Sequence, residues 1–239
     1  MKTLDKLYGG IVVSVQADEG EPLYPAEVIC RLCRSVVLGG AQGLRLANPE
    51  NVKLVKQTLT EIPVIAITKP KTIPPNAKSM VYITPSWEDI TALHQAGADI
   101  IAMDATLRPR PSGETLKTLV EKSRAAYPDL LLMADISTLE EGQHAEALGF
   151  ELISTTLSGY TDETAHKDTD APDFELLKSL IQTVKKPVIL EGRVWEPAHV
   201  EQAMALGAFS VVIGSAITRP HLITQRFCQA LPHVMKTSN

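Results

Sequence analysis

Eight short runs of β-branched or aliphatic residues recur along the 239 residues of this chain, at Ile11–Val15, Gly43–Leu46, Val64–Ile67, Ile100–Met103, Leu130–Met133, Glu151–Ser154, Val188–Leu190 and Ser210–Ile213. Runs this short and this continuously apolar suit strands buried on both faces, as a parallel sheet requires. Between them lie Ala26–Val37, Pro49–Leu59, Trp87–Gln95, Gly113–Ala126, Thr138–Ala147, Asp173–Thr183 and Pro197–Ala205, each with apolar residues at i, i+3, i+4 and charge opposite. That spacing predicts amphipathic helices.

A weak repeat marks the joints. Leu38-Gly-Gly-Ala, Gln95-Ala-Gly-Ala, Ala147-Leu-Gly-Phe and Ala205-Leu-Gly-Ala each precede a strand run, where a left-handed glycine ends a helix. Pro63 and Pro187 stop the chain just before Val64 and Val188. With no linker or low-complexity stretch, the chain reads as one domain over residues 1–239, and eight βα units with right-handed crossovers predict an α/β fold, the (β/α)8 TIM barrel. An open doubly wound sheet is the alternative, disfavoured because no G-x-G-x-x-G follows the first strand. Residues Pro70–Pro85 break the unit with four prolines, and are read as a long loop holding an extra short strand at Met80–Ile83.

Composition narrows the partners. A net charge of −5 and 44% hydrophobic residues describe an ordinary globular protein with no general affinity for polyanions, so neither nucleic acid nor an anionic membrane is expected as a partner. The N-terminus lacks an apolar signal-like region, and no run approaches the roughly 18 apolar residues of a membrane span, which gives a cytoplasmic expectation. Three cysteines make no disulfide framework; Cys30 and Cys33 read as buried helix residues, and Cys228 stands alone. The histidines show no zinc-ligand spacing: His94, His144 and His199 are expected to face outward from helices, His166 lies in a polar loop, and His221 and His233 are near the C-terminus. No metal site is expected. Asp168, Asp170 and Asp173 lack the pattern of a calcium loop, so Asp173 is read as a helix N-cap. Phe227 and Leu231 are expected to form the packing face of a final helix.

In a barrel the chemistry sits where the strands end. Here those positions are Gln16, Arg45, Lys69, Asp104, Asp135, Thr155 with Thr156, Glu191 with Arg193, and Gly214-Ser-Ala-Ile-Thr-Arg219. Singly, each reads equally well as a solvated loop residue; together they converge on one mouth. Lys69 would be desolvated there, with Arg45 or Arg193 lowering its pKa further, which makes it a usable base or amine nucleophile. Schiff-base formation, proton abstraction beside a carbonyl and plain anion binding all remain open. Glu191 is read as an ion-pair partner of the lysine or a second acid/base, and with Asp135 it offers carboxylates to sugar hydroxyls. Gly192, Gly214 and Ser215 stand where many barrels cradle a phosphate on backbone N–H groups, with Arg219 able to clamp the dianion.

The segments Gly9-Gly-Ile-Val-Val-Ser-Val-Gln16-Ala, Gly43-Leu-Arg45-Leu-Ala-Asn, Ile67-Thr-Lys69, Val81-Tyr-Ile-Thr-Pro, Ala102-Met-Asp104-Ala-Thr, Met133-Ala-Asp135-Ile-Ser-Thr, Leu190-Glu191-Gly-Arg193 and Gly214-Ser-Ala-Ile-Thr-Arg219-Pro together resemble the bacterial N-acetylmannosamine-6-phosphate 2-epimerases, from about Gly9 to Pro220. The resemblance implies a barrel that interconverts N-acetylmannosamine 6-phosphate and N-acetylglucosamine 6-phosphate in sialic acid and amino-sugar catabolism, with no metal or organic cofactor. It implies that Lys69 transfers the C2 proton with Glu191 as its partner, and that Arg45 stabilises the enolate oxygen. Gln16 and Asp135 would orient the N-acetyl group and hydroxyls, with Asp104 and Arg193 as further substrate contacts. Gly192, Gly214, Ser215 and Arg219 would hold the phosphate. It also implies a homodimer, with the apolar stretch Ile223–Leu231 contributing. The segments Lys71–Ser79 and Leu157–Ala171 depart from a compact version of the pattern, and the second is read as a lid. A Schiff-base sugar-phosphate aldolase using Lys69 and a non-catalytic sugar-phosphate-binding subunit are the competing readings. A nicotinamide-dependent epimerase is disfavoured by the missing dinucleotide fingerprint.

Overall fold

The computed structural model describes residues 2–167 and 170–231. Eight strands close into a parallel barrel: β1 (Ile11–Val15), β2 (Gly43–Ala47), β3 (Val64–Ile67), β4 (Ile100–Asp104), β5 (Leu131–Asp135), β6 (Leu152–Ser154), β7 (Val188–Glu191) and β8 (Ser210–Ile213). Each pairs with the next, and β1 closes on β8 through Val12 and Val212. A short α1 (Thr3–Leu7) precedes β1 and sends Leu7 into the barrel's inner cluster with Val12, Ile65 and Met133. The outer ring comprises α2 (Ala26–Leu38), α3 (Pro49–Thr58), α4 (Trp87–Gln95), α5 (Leu116–Ala126), α6 (Leu139–Leu148), α7 (Phe174–Thr183) and α8 (Pro197–Leu206). Two helices follow β8, α9 (Ser215–Thr218) and α10 (Pro220–Gln229). The eight-unit barrel read from periodicity is the fold observed.

Strand parity divides the core in two. Ile101 and Met103 of β4 pack outward in the layer beneath the helices, while Ile100 and Ala102 pack inward; β3 and β7 divide likewise, with Ile65, Ile67 and Ile189 inside and Val64, Ala66, Val188 and Leu190 outside. Side chains alternate with period two along a strand. The inward set of β2 therefore contains Arg45, that of β5 ends in Asp135, and that of β7 ends in Glu191. The same parity carried past the strand ends aims Gln16, Lys69 and Thr156 into the mouth.

Helix boundaries follow capping chemistry. Thr115, read from sequence as helix interior, and Thr138, read as the first helical residue, instead cap α5 and α6 by accepting hydrogen bonds from the Thr118 and Glu141 N–H groups. Asp173 caps α7 as expected. The repeat glycines Gly40, Gly97, Gly149 and Gly207 all have φ between +90° and +100°, the conformation that turns the chain from helix to strand.

Several expectations are corrected. Met80–Ile83 forms no strand: its neighbourhood is held by single bonds from Val81 N–H to Pro109, from Thr84 N–H to Thr68, and from Asp104 N–H to Ile83 C=O. Three separate partners cannot build a ladder. His94 and His199 do not face outward: the His94 ring stacks on Tyr127 at 3.8 Å, and His199 packs on the Phe174 ring and accepts a hydrogen bond from the Trp195 N–H. Phe227 and Leu231 are 74% and 66% exposed, and α10 buries none of its residues against the described part of the chain. Cys30 and Cys33 are buried as expected, and burial pushes the Cys33 thiol up to about 12. Asp168 and His233 lie outside the described residues.

The segment after β6 is tied down over residues 161–164. Thr161 and Thr164 are buried and bonded to each other at 2.7 Å, and the Asp162 N–H reaches the Lys78 carbonyl of the β3–α4 loop.

Candidate active site at the carboxyl end of the barrel

The strand ends enclose a cavity of about 390 Å³ lined by Ser14, Gln16, Lys69, Thr156, Glu191, Gly192, Arg193, Gly214, Ser215 and Arg219, with Asp18, Tyr82 and Trp195 on its walls. That volume suits a small polar ligand. Of the residues expected at the mouth, Arg45, Asp104, Asp135, Thr155 and Ile217 do not line it.

Arg45 and Asp135 form its buried floor. The Arg45 guanidinium is 1% exposed and the Asp135 side chain 0%. Arg45 Nη2 lies 2.5 Å from Asp135 Oδ2, and Nη1 bridges Asp135 Oδ1 at 3.0 Å and Glu191 Oε2 at 2.9 Å. Burial works against the guanidinium charge, but the Asp135 and Glu191 carboxylates outweigh it and hold the group ionised. The Nη donors of Arg45 face the two carboxylates, and its buried Nε has no partner.

Lys69 continues the inward parity of Ile65 and Ile67, and its backbone N–H is held by Asn48 Oδ1 at 3.2 Å. Desolvation lowers its pKa, Arg45 lowers it further, and Glu191 opposes the shift. An amine so placed sheds its proton more readily than an exposed lysine. Glu191 is shifted the other way: burial raises its pKa against the pull of Arg45, and the neighbouring Asp135 charge adds to the rise. Its ion pair goes to Arg45, not to Lys69 as the sequence reading allowed.

Gln16 Nε2 donates to Ser14 Oγ at 2.8 Å, leaving its buried Oε1 without a donor. An orphaned acceptor on the wall of a polar cavity is satisfied by a ligand N–H or O–H. Gly192 (φ +106°) and Arg193 (φ +56°) are both left-handed, a sharp turn that throws the chain back across the mouth after β7. Arg193 spends Nε on the Ala171 carbonyl and Nη1 on that of Ser158, with its guanidinium 5.4 Å from the Tyr160 ring centre. Arg219 stands at the rim with Nη2 shared by Asp18, at 3.0 Å, and Glu21, while its buried Nε has no partner. Asp104 is withdrawn from the cavity: Thr106 and Arg108 bind both of its oxygens, and burial raises its pKa. That carboxylate locks the β4–α5 loop.

Sequence reasoning places Thr156 at the mouth with no particular role, and does not single out Ser14, Asp18, Tyr82 and Trp195. Ser14 lies two residues before Gln16 within β1, so strand parity would have found it. Asp18 belongs to a loop with no such signal. Among the described residues no group of three His, Cys, Asp or Glu side chains is placed to hold a metal ion, and no helix is long and apolar enough to cross a membrane.

A barrel that gathers a desolvated lysine and a coupled arginine–carboxylate cluster at the carboxyl ends of its strands defines a small-molecule enzyme of the (β/α)8 class. Residues 29–233 match the model of the family described as "Putative N-acetylmannosamine-6-phosphate epimerase". The chain is 43% identical to a protein of Caldanaerobacter subterraneus subsp. tengcongensis bearing the corresponding 2-epimerase name, over 95% of this chain and 93% of that one. A Listeria monocytogenes serotype 4b protein of the same name is 39% identical over 97% of this chain and 98% of its own length. The structure of the N-acetylmannosamine-6-phosphate 2-epimerase from Clostridium perfringens superposes with a TM-score of 0.89 at 42% identity, covering 97% of each chain. Thiamine phosphate pyrophosphorylase from Pyrococcus furiosus, at TM-score 0.58 and 15% identity, shares the fold alone. The chain belongs to the N-acetylmannosamine-6-phosphate 2-epimerase family, isomerases that act on carbohydrates.

Proposed function

We propose that this protein interconverts N-acetylmannosamine 6-phosphate and N-acetylglucosamine 6-phosphate by removing and returning the C2 proton through an enolate, in amino-sugar catabolism. The observation that carries this reading is the desolvated Lys69 amine opening onto the same cavity as Glu191, above the Arg45–Asp135 pair. The C2–H bond is acidified by the C1 aldehyde of the open-chain sugar. A neutral amine of lowered pKa takes the proton, and preorganised charge stabilises the enolate without solvent reorganisation. Arg45 keeps Asp135 and Glu191 in register beneath the reacting carbon. Gln16 Oε1 offers an acceptor to the acetamido N–H, and Arg193 closes the side wall.

The phosphate is placed at Gly192, Gly214, Ser215 and Arg219. Because Asp18 and Glu21 hold Arg219 Nη2, the dianion either displaces them or binds the remaining Nε and Nη1 donors. Arg219→Ala is expected to raise KM about tenfold or more with kcat little changed, since it removes a charge-assisted contact remote from C2. Steady-state kinetics across substrate concentration separates the two. A homodimer is part of this reading, with the exposed Phe227 and Leu231 as apolar surface for a second copy.

Proton NMR of the purified protein with N-acetylmannosamine 6-phosphate in deuterated water tests the reaction directly. The expected result is N-acetylglucosamine 6-phosphate carrying deuterium at C2, with no adduct on Lys69 after borohydride treatment. A borohydride-trapped Lys69 without C2 exchange would establish the aldolase reading instead.

A further inference from the structure

The hydroxyl of Thr156 has one hydrogen and two carboxylates to give it to. Thr156 Oγ1 lies 2.7 Å from Asp135 Oδ1, 3.1 Å from Glu191 Oε2 and 2.9 Å from Ser154 Oγ. The same two carboxylate oxygens are bridged by Arg45 Nη1, whose two hydrogens serve one each. Thr156 therefore completes a closed ring of Arg45, Asp135, Thr156 and Glu191. A hydroxyl is one donor and two acceptor lone pairs, so only one of its carboxylate contacts is a donated bond at any moment.

The other contact takes its sense from Glu191. When Glu191 is ionised, Thr156 turns its hydrogen to Oε2, and Asp135 keeps its two bonds from Arg45. When Glu191 is protonated on Oε2, its O–H donates to Thr156 Oγ1 and the threonine hydrogen turns to Asp135 Oδ1. The Thr156 hydrogen has a carboxylate acceptor in both states; the 2.7 Å separation from Asp135 Oδ1 is that of the state in which the hydrogen lies between those two oxygens, and it lengthens when the hydrogen turns to Glu191. The backbone around Glu191 is held still meanwhile, because Thr155 Oγ1 donates to the Glu191 carbonyl at 2.9 Å and accepts from its N–H at 3.1 Å.

We infer that Thr156 is a positioning residue: its hydroxyl switches between Asp135 and Glu191 as Glu191 gains or loses its proton, keeping that proton on Oε2 and Oε1 turned to the cavity. The proposal rests on the epimerase reading for its kinetic consequence but not for its spectroscopic one. The charged groups facing Glu191 are Arg45 from β2, Asp135 from β5 and Lys69 from the end of β3, and none of these is altered by substitution at Thr156. Valine keeps the shape of threonine and removes the hydrogen bond in both states; the bond to the ionised carboxylate is charge-assisted and the stronger of the two, so its loss dominates and the Glu191 titration moves to higher pH.

The test combines infrared spectroscopy with kinetics on Thr156→Val, Thr156→Ser and, in case valine does not fold, Thr156→Ala. The protonated-carboxyl band of Glu191 is identified by its absence in Glu191→Gln and followed against pH. The expected result is an upward shift of at least one pH unit in Thr156→Val or Thr156→Ala, together with a tenfold or greater loss of kcat, KM within twofold, and both restored in Thr156→Ser. An unmoved band, or a serine variant as impaired as valine, overturns the proposal. An inactive wild-type protein whose band still shifts would sink the epimerase reading alone.

Discussion

Lys69→Met is expected to abolish turnover while leaving the protein at least as stable as the wild type. The two effects have one physical origin. Burial destabilises the lysine's charged form and so lowers its pKa; the sign follows because a desolvated ammonium is penalised relative to its neutral amine. The amine is then free to accept the C2 proton at a pH where an exposed lysine is still charged, and activity rises as pH climbs through this lowered value. Methionine fills much of the same volume with no charge to desolvate, so the unfolding midpoint holds or increases, while loss of the proton acceptor costs about 10³-fold in kcat or more. Steady-state kinetics, C2 deuterium exchange and thermal unfolding on one preparation check all three. A variant that still exchanges C2–H at near-native rate would remove Lys69 from the mechanism.

Arg45→Met is expected to be damaging in both respects. Arg45, Asp135 and Glu191 are 1%, 0% and 13% exposed, and removing the cation leaves two carboxylates side by side in a buried floor. Breaking such a group from one side costs about 3–5 kcal/mol, because the surviving charge is uncompensated. The loss depends on pH with a definite sign. Burial already holds the folded-state pKa of Glu191 above its ordinary value, and without Arg45 it rises further, so the penalty is absent under acid, grows as pH climbs above the unfolded-chain value, and is complete once pH passes the folded-state one. Denaturant unfolding across the acidic to neutral range measures it. Turnover is expected to fall about 100-fold or more, since Glu191 loses its register with the cavity. Adding Asp135→Leu to Arg45→Met should recover much of the stability and none of the activity, which separates a folding effect from a catalytic one. Equal stability of Arg45→Met and the wild type at neutral pH would contradict the buried triad.

Much of the fold was legible because parallel strands in a barrel are apolar on both faces and helices carry a 3.6-residue stripe. Ile11–Val15, Val64–Ile67 and Ser210–Ile213 were read with the bounds observed. Errors fell where local propensity competes with tertiary context. Val81 and Ile83 have the composition of a strand and are buried like one, yet no neighbouring edge is free to pair with them in a barrel already closed. Phe227 has the composition of a core residue, yet nothing among the described residues covers it.

The site divides along the same line. Position at a strand end named Gln16, Arg45, Lys69, Asp135, Glu191 and Arg219, because chain connectivity alone places those residues at the mouth. It equally named Asp104, whose inward parity is real but whose oxygens are taken by Thr106 and Arg108 from the following turn. It placed Thr156 at the mouth with no particular role, since the contacts of its hydroxyl are with two carboxylates 21 and 35 residues away. The sequence by itself determined the barrel, the inward parity and the kinds of chemical group delivered to one end, since these depend on periodicity and connectivity. Tertiary structure alone decided which charges pair, that Arg45 is floor rather than wall, that Arg219 is shared with Asp18 and Glu21, and which hydroxyl joins the carboxylates. Those outcomes depend on separations of a few ångströms between strands far apart in the chain, and on burial that moves lysine and glutamate toward neutrality from opposite sides.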